Sequence, residues 1–440
     1  MTYLQMLKYL YTERPSGKVT LGLERIQELC RRLNNPQDCF RSAHVAGTNG
    51  KGSVTKFLSY LFIEHGLKTG SYFSPHLSIF KERILVNEQF VDEQTFVDAF
   101  EIVQSEAEKM DQLGINMSPS FFEFVTAMAF VIYRLKNVQA TSIEVGLGGR
   151  YDATNVVLPS VSVIVTIDFD HMHILGDTLA KIAYEKAGIV KESVPTVCGE
   201  TKEEPLEVIR EVCRQKNSKI HVYGKDFSYE ALELKLSQNL FNFHGLTDFK
   251  NLEISLNGEH QFLNASVALQ AFLIFAQKEG IKVDEEKVRS ALKKASIPGR
   301  FEVIAGKPTI IFDGAHNIGG AKVLKKSIQD YLKGQKLAAV IGMVDDKDKR
   351  AVLSHLAPLF ERIYVTKPVS HRAVNVRETY EIAREFNKNV VFEPDPLKAF
   401  ENLKSEGWET IIITGSLYLV GYLRDYIIDG QLEPEWELVR

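Results

Sequence analysis

The sequence predicts an α/β protein with largely parallel sheets. Short β-branched runs alternate with amphipathic helical stretches from one end of the chain to the other, and this alternation is typical of parallel strands joined by helices. A length of 440 residues allows two or three domains. The hydrophobic share of 45% and the charged share of 25% are those of an ordinary globular protein.

Charge and cysteine content narrow the class of protein. A net charge of -4 argues against a general nucleic-acid binder, which is normally basic. Any anionic substrate must then be held by local cations rather than by the overall field. The four cysteines show no CxxC spacing, which favours free thiols in a reducing compartment. The longest strongly apolar stretch, residues 121–135, is too short to span a bilayer, so we expect a cytoplasmic protein without a membrane partner.

The first part of the chain is predicted to hold strands near 42–46, 68–73, 140–145 and 161–167. The first strand is followed by a helix, because apolar residues recur there at a spacing of three and four and Gly66 is well placed to end it. A long helix is predicted near 120–136. From about 195 to 256 the pattern is less regular and richer in strands, and another helix runs from near Phe262 to about Gln277.

A break in periodicity at 296–304 predicts a linker, because Pro298 and Gly299 interrupt the pattern there. We therefore divide the chain into domains of residues 1–296 and 297–440. The alternation then restarts, with strands predicted at 309–312, 337–343, 362–366, 389–392 and 410–414. This is the pattern of a second, smaller doubly wound domain, and in such sheets ligands gather beyond the carboxyl ends of the strands.

The segment GTNGKGS at 47–53 is a candidate phosphate loop, since it follows a strand and opens a helix. Its glycines allow backbone N–H groups to approach phosphate oxygens, and the helix dipole favours the anion. Lys51 would bind phosphates and the Ser53 hydroxyl could reach Mg²⁺. The match to GxxxxGK[ST] is imperfect, because Val45 occupies the first glycine position and Gly52 separates the lysine from the serine. A glycine turn without a ligand is the alternative.

Glu144 ends a predicted strand directly before a glycine-rich turn. A carboxylate at that place suits Mg²⁺, which takes few protein oxygens and keeps phosphates and waters as its other ligands. A structural charge at a strand end is the alternative. Asp152 follows in the same turn, where it could contact a substrate or orient a donor.

The segment 166–191 leaves a strand through Asp170, His171 and His173. The His-x-His spacing suggests zinc, but no cysteine or further histidine lies at a finger-like distance, and a structural histidine is the alternative. Lys186 follows in a helical stretch, where a solvated helix face is the ordinary interpretation.

Two turns of the second domain carry further polar residues. Asp313, His316 and Asn317 come just after a predicted strand. Gly415 and Ser416 occupy a strand-to-helix turn, where backbone N–H groups can hold a carboxylate. Polar loop residues are common, so either turn alone is weak evidence for a functional site.

Taken in order, these segments resemble the folylpolyglutamate synthase/dihydrofolate synthase branch of the Mur ligase superfamily. The matching segments are GLERI (22–26), AGTNGKGS (46–53), SPHL (74–77), ERI (82–84), FFE with TAMAF (121–130), EVGLGGRYDATN (144–155), DHMHILG with IAYEKAGIVK (170–191), HQFLNA (260–265), PGRFE (298–302), DGAHN (313–317) and TGSLYLVG (414–421). They cover nearly the whole chain with compatible spacing, and the departures in the phosphate loop are the family's own form.

The resemblance implies a fold and an activity. It implies a P-loop-containing, Mur-ligase-like ATP-binding domain over residues 1–296 and a Rossmann-like glutamate ligase domain over residues 297–440. ATP would phosphorylate the carboxylate of a folate or of dihydropteroate, and L-glutamate would attack the acyl phosphate to give an amide, ADP and phosphate. The implied partners are these small molecules, with no nucleic acid, and we expect a monomer.

The resemblance also implies the nucleotide and metal contacts. The residues that it assigns to ATP are Gly47, Thr48, Asn49, Gly50, Lys51, Gly52, Ser53, Asn264, Arg300 and Asp313. It implies two Mg²⁺ sites, with Ser74 and Glu144 at one, His171 at the second, and Ser53 close to metal and phosphates. Lys186 matches the family's carbamylated lysine, whose modification turns a cation into an anion beside Mg²⁺.

On the substrate side the resemblance implies a pterin pocket and a glutamate site. Ser120, Phe122 and Asp152 correspond to the pterin pocket, with Ser120 where many relatives have threonine, and Arg83 is also expected to meet the substrate. His316 and Ser416 match positions linked to the incoming glutamate. The expected catalytic residues are Lys51, Lys186, His316 and Asp152.

Two other functions are considered. A UDP-sugar–peptide ligase of the same superfamily carries an additional N-terminal nucleotide-sugar domain, and only 46 residues precede Gly47, too few for that domain. A non-enzymatic P-loop nucleotide-binding protein would leave the DGAHN segment and the pair His171 and Lys186 unexplained.

Overall fold

The computed structural model of the chain describes residues 1–14, 22–370 and 372–439. Within these ranges the strands form three sheets, two in the first part of the chain and one in the second. The two larger sheets each carry helices on both faces, which is the arrangement expected when βαβ connections place every crossover helix over a buried parallel sheet.

The largest sheet has eight strands in the order β4-β3-β2-β5-β1-β6-β7-β8. The strands are β1 Arg41–Ala46, β2 Thr69–Tyr72, β3 Ile84–Val86, β4 Gln89–Phe90, β5 Ala140–Glu144, β6 Val161–Ile164, β7 Thr196–Cys198 and β8 Ile220–Val222. The six strands from β2 to β8 in this order are parallel, and β3 and β4 add an antiparallel edge. Strand β1 lies centrally, so the loop that follows it opens at the middle of the sheet edge.

Ten α-helices accompany this part of the chain in the described residues. They are α1 Tyr3–Glu13, α2 Glu24–Arg32, α3 Lys51–Glu64, α4 Glu93–Asp111, α5 Phe121–Leu135, α6 Met172–Leu175, α7 Leu179–Lys186, α8 Glu203–Gln215, α9 His260–Glu279 and α10 Glu285–Lys294. Side-chain caps start several of them, including Thr2, Asp92 and Asp284, which satisfy N–H groups that the first turn leaves unbonded.

A small antiparallel sheet covers the buried helix α9. Its strands are β9 Ser228–Glu233, β10 Asn239–His244 and β11 Phe249–Ile254, in the order β11-β10-β9. Alternate residues of β10 are buried, as expected for a sheet with one face on a core. Phe241 and Phe243 point into that core, where Phe62 of α3 meets Phe272 and Phe275 of α9.

The second part of the chain forms a six-stranded sheet in the order β12-β13-β17-β14-β15-β16. The strands are β12 Glu302–Ile304, β13 Thr309–Phe312, β14 Leu337–Ile341, β15 Arg362–Val365, β16 Val390–Phe392 and β17 Thr410–Thr414. The helices are α11 Ile318–Tyr331, α12 Lys349–Leu356, α13 Val376–Phe386, α14 Pro396–Ser405, α15 Leu417–Asp429 and α16 Trp436–Val439. All pairings are parallel except that of β12 with β13.

The predicted α/β fold with two large sheets is confirmed, and most strands lie within a few residues of their predicted ranges. The prediction of a linker over 296–304 is wrong at its end, because residues 302–304 pair with β13 as an edge strand. The edge strands β3 and β4 were also not predicted, since two- and three-residue strands carry too little periodicity. The division of the chain at residue 297 stays a prediction. No helix in the described ranges is long and apolar enough to cross a membrane.

Candidate active site

Three cavities meet at Ser74, which follows β2 and contributes to the lining of all of them. The first cavity, of about 330 Å³, is lined by Arg83, Phe122 and Asp152 among others. The second, of about 320 Å³, lies against the N-terminal half of α3 and the β3–β4 hairpin. The third, of about 210 Å³, lies between residues 48–53 and the loop after β13 that contains Asp313. The candidate site is this junction.

The loop between β1 and α3 has the geometry of a phosphate loop. Gly50 has a left-handed φ of 85°, and a Cβ atom there would lie 2.4 Å from Asn264 Oδ1 and 2.9 Å from Val165 Cγ1. Only glycine therefore fits both the conformation and the space. The loop is tied to the segment that follows β6, because Thr48 N–H donates to the Thr166 carbonyl across 2.7 Å. The N-terminus of α3 thus faces the third cavity and can bind an anion there.

The side chains of this loop also line the third cavity, including Lys51 and the buried Ser53. The Lys51 ammonium donates to the Thr48 carbonyl across 3.3 Å. The side-chain oxygen of Asn49 accepts a hydrogen bond of 3.3 Å from Asn317. Asn317 belongs to the second lobe, the part of the chain that forms the six-stranded sheet; the part before it is the first lobe. The phosphate loop therefore contacts both lobes directly.

Glu144 and Ser74 form the candidate metal site. Burial raises the pKa of the Glu144 carboxyl, while the nearby Lys51 charge and the Ser74 N–H, which donates across 3.3 Å, lower it. The Ser74 hydroxyl oxygen is buried and has no hydrogen-bond partner in the described part of the protein, a situation that is uncommon without a bound ion or water. A carboxylate and a hydroxyl oxygen are ligands that Mg²⁺ prefers, so these residues fit the ion.

His171 lines both the first and the third cavity. Its backbone is left-handed, with a φ of 48°, and it directly precedes α6 without making a side-chain capping bond. Burial lowers the pKa of the imidazole to about 4, so the ring is neutral at pH 7 and able to bind a metal. Among the described residues no group of three histidine, cysteine, aspartate or glutamate side chains could hold a metal ion.

Lys186 ends α7 beneath the phosphate loop. It is buried, and its ammonium donates to the Gly47 carbonyl across 2.8 Å. Burial lowers the pKa of Lys186 to about 7, and the nearby charge of Lys51 lowers it as well. The solvated helix face considered for this residue is therefore wrong. A neutral amine is the form that adds CO₂, so this environment fits a carbamylated lysine.

The first cavity brings together the residues expected around a pterin. Ser120 caps α5, and its hydroxyl donates to Glu123 across 2.8 Å. The Phe122 ring packs against Gly146, where a Cβ atom would lie 2.5 Å from the ring. Both oxygens of Asp152 accept backbone hydrogen bonds, from Leu147 at 2.8 Å and from Thr154 at 3.0 Å, while burial raises the pKa of this carboxyl. Asp152 thus shapes the turn that borders the cavity.

The same cavity contains a buried ion pair that sequence reasoning did not assign. Arg25 Nη2 lies 2.9 Å from Glu123 Oε1, and both side chains are buried. The motif GLERI at 22–26, which contains Arg25, is the sequence feature that could have identified this residue. Its partner lies 98 residues away, so the pair is visible only in the fold.

The second lobe supplies Arg300, Asp313 and His316 to the lining of the third cavity, and Asn264 of α9 adds a side chain from the first part of the chain. Burial raises the pKa of Asp313, whose oxygens accept from Phe301 N–H at 3.0 Å and Ala315 N–H at 2.9 Å. His316 Nδ1 lies 2.7 Å from the Gly314 carbonyl, and burial lowers the pKa of its ring to about 4. Its Nε2 is therefore the unprotonated nitrogen at pH 7.

Two residues depart from the expected site. Ser416 is buried as the cap of α15 and accepts from Tyr418 N–H at 3.2 Å, but it is absent from the described lining of the three cavities, which its neighbour Leu417 reaches. Lys347, which was not predicted, bridges the lobes, with Nζ 2.9 Å from Asp170 Oδ1 and only 8% of its side chain exposed. Its position shortly after the end of β14 is the sequence feature that could have identified Lys347 as a site residue.

The fold and the loop together define a two-lobed P-loop nucleotide-binding protein with a candidate metal site at the junction of its cavities. Residues 45–272 match the Mur ligase middle domain, and residues 299–417 match the Mur ligase glutamate ligase domain. The chain is 33% identical over 408 residues to the dihydrofolate synthase/folylpolyglutamate synthase of Bacillus subtilis, covering 92% of this chain and 94% of the relative. It belongs to the folylpolyglutamate synthase/dihydrofolate synthase family of the Mur ligase superfamily.

Solved structures match this chain over nearly its full length. The crystal structure of folylpolyglutamate synthase from Thermotoga maritima has a TM-score of 0.88 and 42% identity, covering 99% of both chains. The Escherichia coli protein FolC, solved in complex with DHPP and ADP, has a TM-score of 0.87 and 28% identity, covering 98% of both chains. The UDP-sugar–peptide ligase and the non-enzymatic binding protein are therefore not adopted.

Proposed function

We propose that the chain catalyses the ATP-dependent addition of L-glutamate to the γ-carboxylate of a folate, and also to dihydropteroate. The observation that carries this proposal is the position of Ser74, which lines both the cavity of the phosphate loop and the cavity lined by Phe122, and whose N–H donates to Glu144 in the wall of the former. A carboxylate reaching from one cavity and a triphosphate reaching from the other would meet at this pair.

The physical obstacle is the approach of one anion to another. Lys51 and the N-terminus of α3 supply positive charge on the phosphate side, and Arg300 adds a guanidinium from the other lobe. Mg²⁺ held by Ser74 and Glu144, with Ser53 nearby, and a second ion at His171 would neutralise the phosphates and stabilise charge on the transferring oxygens. The remaining nucleotide contacts are assigned to residues 47–53, Asn264 and Asp313.

Lys186 is assigned a structural and electrostatic role. Its buried position beneath Gly47 places below the phosphate loop a side chain whose charge changes on deprotonation or carbamylation. As a carbamate the residue would carry a negative charge and hold metal ligands in place, which an ammonium beside Lys51 would not do.

The first cavity is assigned to the pterin end of the acceptor. Phe122 offers an aromatic face, and Arg83 offers a cation at the wall of the cavity. Ser120 and Asp152 position the walls of this cavity, because the Ser120 hydroxyl already bonds to the Glu123 carboxylate and both Asp152 oxygens to backbone N–H groups of the 147–154 turn.

The incoming glutamate is assigned to the second lobe, near His316 and the turn at Ser416. The glutamate nitrogen attacks the carbonyl carbon of the acyl phosphate, the C–N bond forms, and the bond to the phosphate oxygen breaks. Nε2 of His316 can accept the proton that the amine releases, because the ring is neutral and Nδ1 is bonded to Gly314. Asp313 is less suited, since both of its oxygens already accept hydrogen bonds.

One assay tests the proposal. ADP release is measured with L-glutamate and either dihydropteroate or tetrahydrofolate, and each reaction is repeated without glutamate. We expect glutamate-dependent ADP release with both acceptors and its loss in Lys51→Met. ADP release that needs neither glutamate nor acceptor would contradict the proposal. The cytoplasmic location, the monomeric state and the division at residue 297 remain our expectations.

A further inference from the structure

Arg83 and His76 contact each other where two of the cavities adjoin. Arg83 lines the first cavity, whereas His76 lines the second. Arg83 Nε–H donates a hydrogen bond of 2.8 Å to His76 Nδ1. Only 8% of Arg83 is exposed and His76 is half-buried, so the contact is partly shielded from water, which strengthens a hydrogen bond to a charged group.

The guanidinium of Arg83 is held from a second direction. Its Cζ lies 5.6 Å from the centroid of the Phe121 ring, within the distance of a cation–π contact. The His76 ring in turn packs edge-on against Phe80, with centroids 6.2 Å apart, and Phe80 is fully buried. The His76 ring, which carries the accepting nitrogen, is therefore held in place by the buried core.

This arrangement determines which edge of the guanidinium meets a ligand. A carboxylate can bind an arginine through Nε and one terminal nitrogen, or through the two terminal nitrogens. Because Nε is committed to His76, the end-on edge formed by Nη1 and Nη2 is the one directed at a ligand in the first cavity. Fixing this edge in advance lowers the entropy cost of binding.

We infer that His76 is a positioning residue for the acceptor: its imidazole holds the Arg83 guanidinium with the terminal nitrogens presented to an acceptor in the first cavity. His76 acts through Arg83 and does not touch the acceptor there. The inference rests on the proposed function, because it assumes that Arg83 contacts the acceptor.

The test is a double-mutant cycle read out as the KM of the acceptor, kcat and the KM of ATP. His76→Phe keeps a ring against Phe80 but removes the acceptor nitrogen, and we expect it to raise the acceptor KM about tenfold. The kcat and the KM of ATP should change by less than about twofold. His76→Asn places an amide oxygen near the position of Nδ1 and should restore the acceptor KM to within about threefold of the original protein.

The same substitution is then made in an Arg83→Met background. If His76 acts through Arg83, His76→Phe has no further effect there, whereas independent effects would multiply. Multiplying effects, or an unchanged acceptor KM in His76→Phe while Arg83→Met raises it, overturns the inference alone. An unchanged acceptor KM in Arg83→Met overturns the assignment of Arg83 and the inference with it. Should His76→Phe fail to fold, His76→Gln against His76→Asn gives the same comparison, because the longer side chain displaces the accepting oxygen and should raise the acceptor KM.

Discussion

The backbone N–H of Ser74 donates a hydrogen bond to the Glu144 carboxylate across 3.3 Å. Glu144 is the last residue of β5, and Ser74 follows β2 by two residues. These strands are parallel neighbours, so both residues arrive at the same edge of the sheet. The contact joins the two candidate metal ligands directly.

Glu144→Gln tests the metal assignment. The amide oxygen can still accept from Ser74 N–H, so the fold should persist, but the negative charge is lost. We expect kcat to fall about a thousandfold, measured as glutamate-dependent ADP release, with an unchanged circular dichroism spectrum. A kcat within tenfold of the original value would be incompatible with a metal ligand at this position.

Lys186→Ala tests the buried lysine. Because burial lowers the pKa of Lys186 to about 7, an appreciable fraction of the amine is neutral at pH 7 to 8 and can add CO₂. We expect the substitution to lower kcat about a hundredfold and short carboxylates such as acetate to restore part of it. The control is Lys181→Ala on the same helix, whose exposed ammonium pairs with Asp177 and whose loss should leave kcat unchanged. Equal activity of both variants would argue against a carbamate.

Arg25→Met tests the ion pair in the first cavity. It leaves the buried Glu123 carboxylate without its guanidinium, and we expect the free energy of unfolding to fall by about 3–5 kcal/mol. Adding Glu123→Gln should recover most of that loss, because the unpaired charge disappears. Chemical denaturation at pH 7 measures both. Arg31→Met, which breaks an exposed pair with Glu28, should cost less than about 1 kcal/mol; an equal cost at the two sites would show that burial does not matter here.

Glu435→Gln tests a contact between the C-terminal segment and the first lobe. Glu435 accepts from Tyr3 Oη at 3.0 Å and from Phe80 N–H at 2.7 Å, and burial raises its pKa from 4.5 to about 7. Because the folded state binds the proton more tightly, the stabilisation is complete below pH 4.5, declines as the pH rises and is lost above about pH 7.

The variant mimics the protonated form at every pH. We therefore expect Glu435→Gln and the original protein to unfold with similar free energies near pH 4.5, and the variant to be more stable by about 2–3 kcal/mol at pH 8. Denaturation across this range measures the difference, with the exposed Glu437→Gln as a control that should stay within about 0.5 kcal/mol. A difference that does not vary with pH would contradict the raised pKa.

Features that depend on a few consecutive residues were predicted from the sequence. The phosphate loop at 47–53 requires glycines before a helix, and Glu144 and Asp313 were recognised because each lies at or just past the end of an apolar strand. The linker prediction failed at 302–304, because pairing with β13 is a contact that local composition does not indicate. The roles of the individual site residues stay predictions.

The sequence by itself determined the alternation of strands and helices, the phosphate loop and the order of the strand-end polar residues, since these follow from local backbone chemistry and apolar spacing. Only the tertiary structure decided which distant charges meet, as Lys347 and Asp170 do across 177 positions. It also decided that Lys186 is buried beneath Gly47, and with that the lowered pKa of its amine. The physical reason is that burial and charge pairing depend on the packing of segments far apart in the chain.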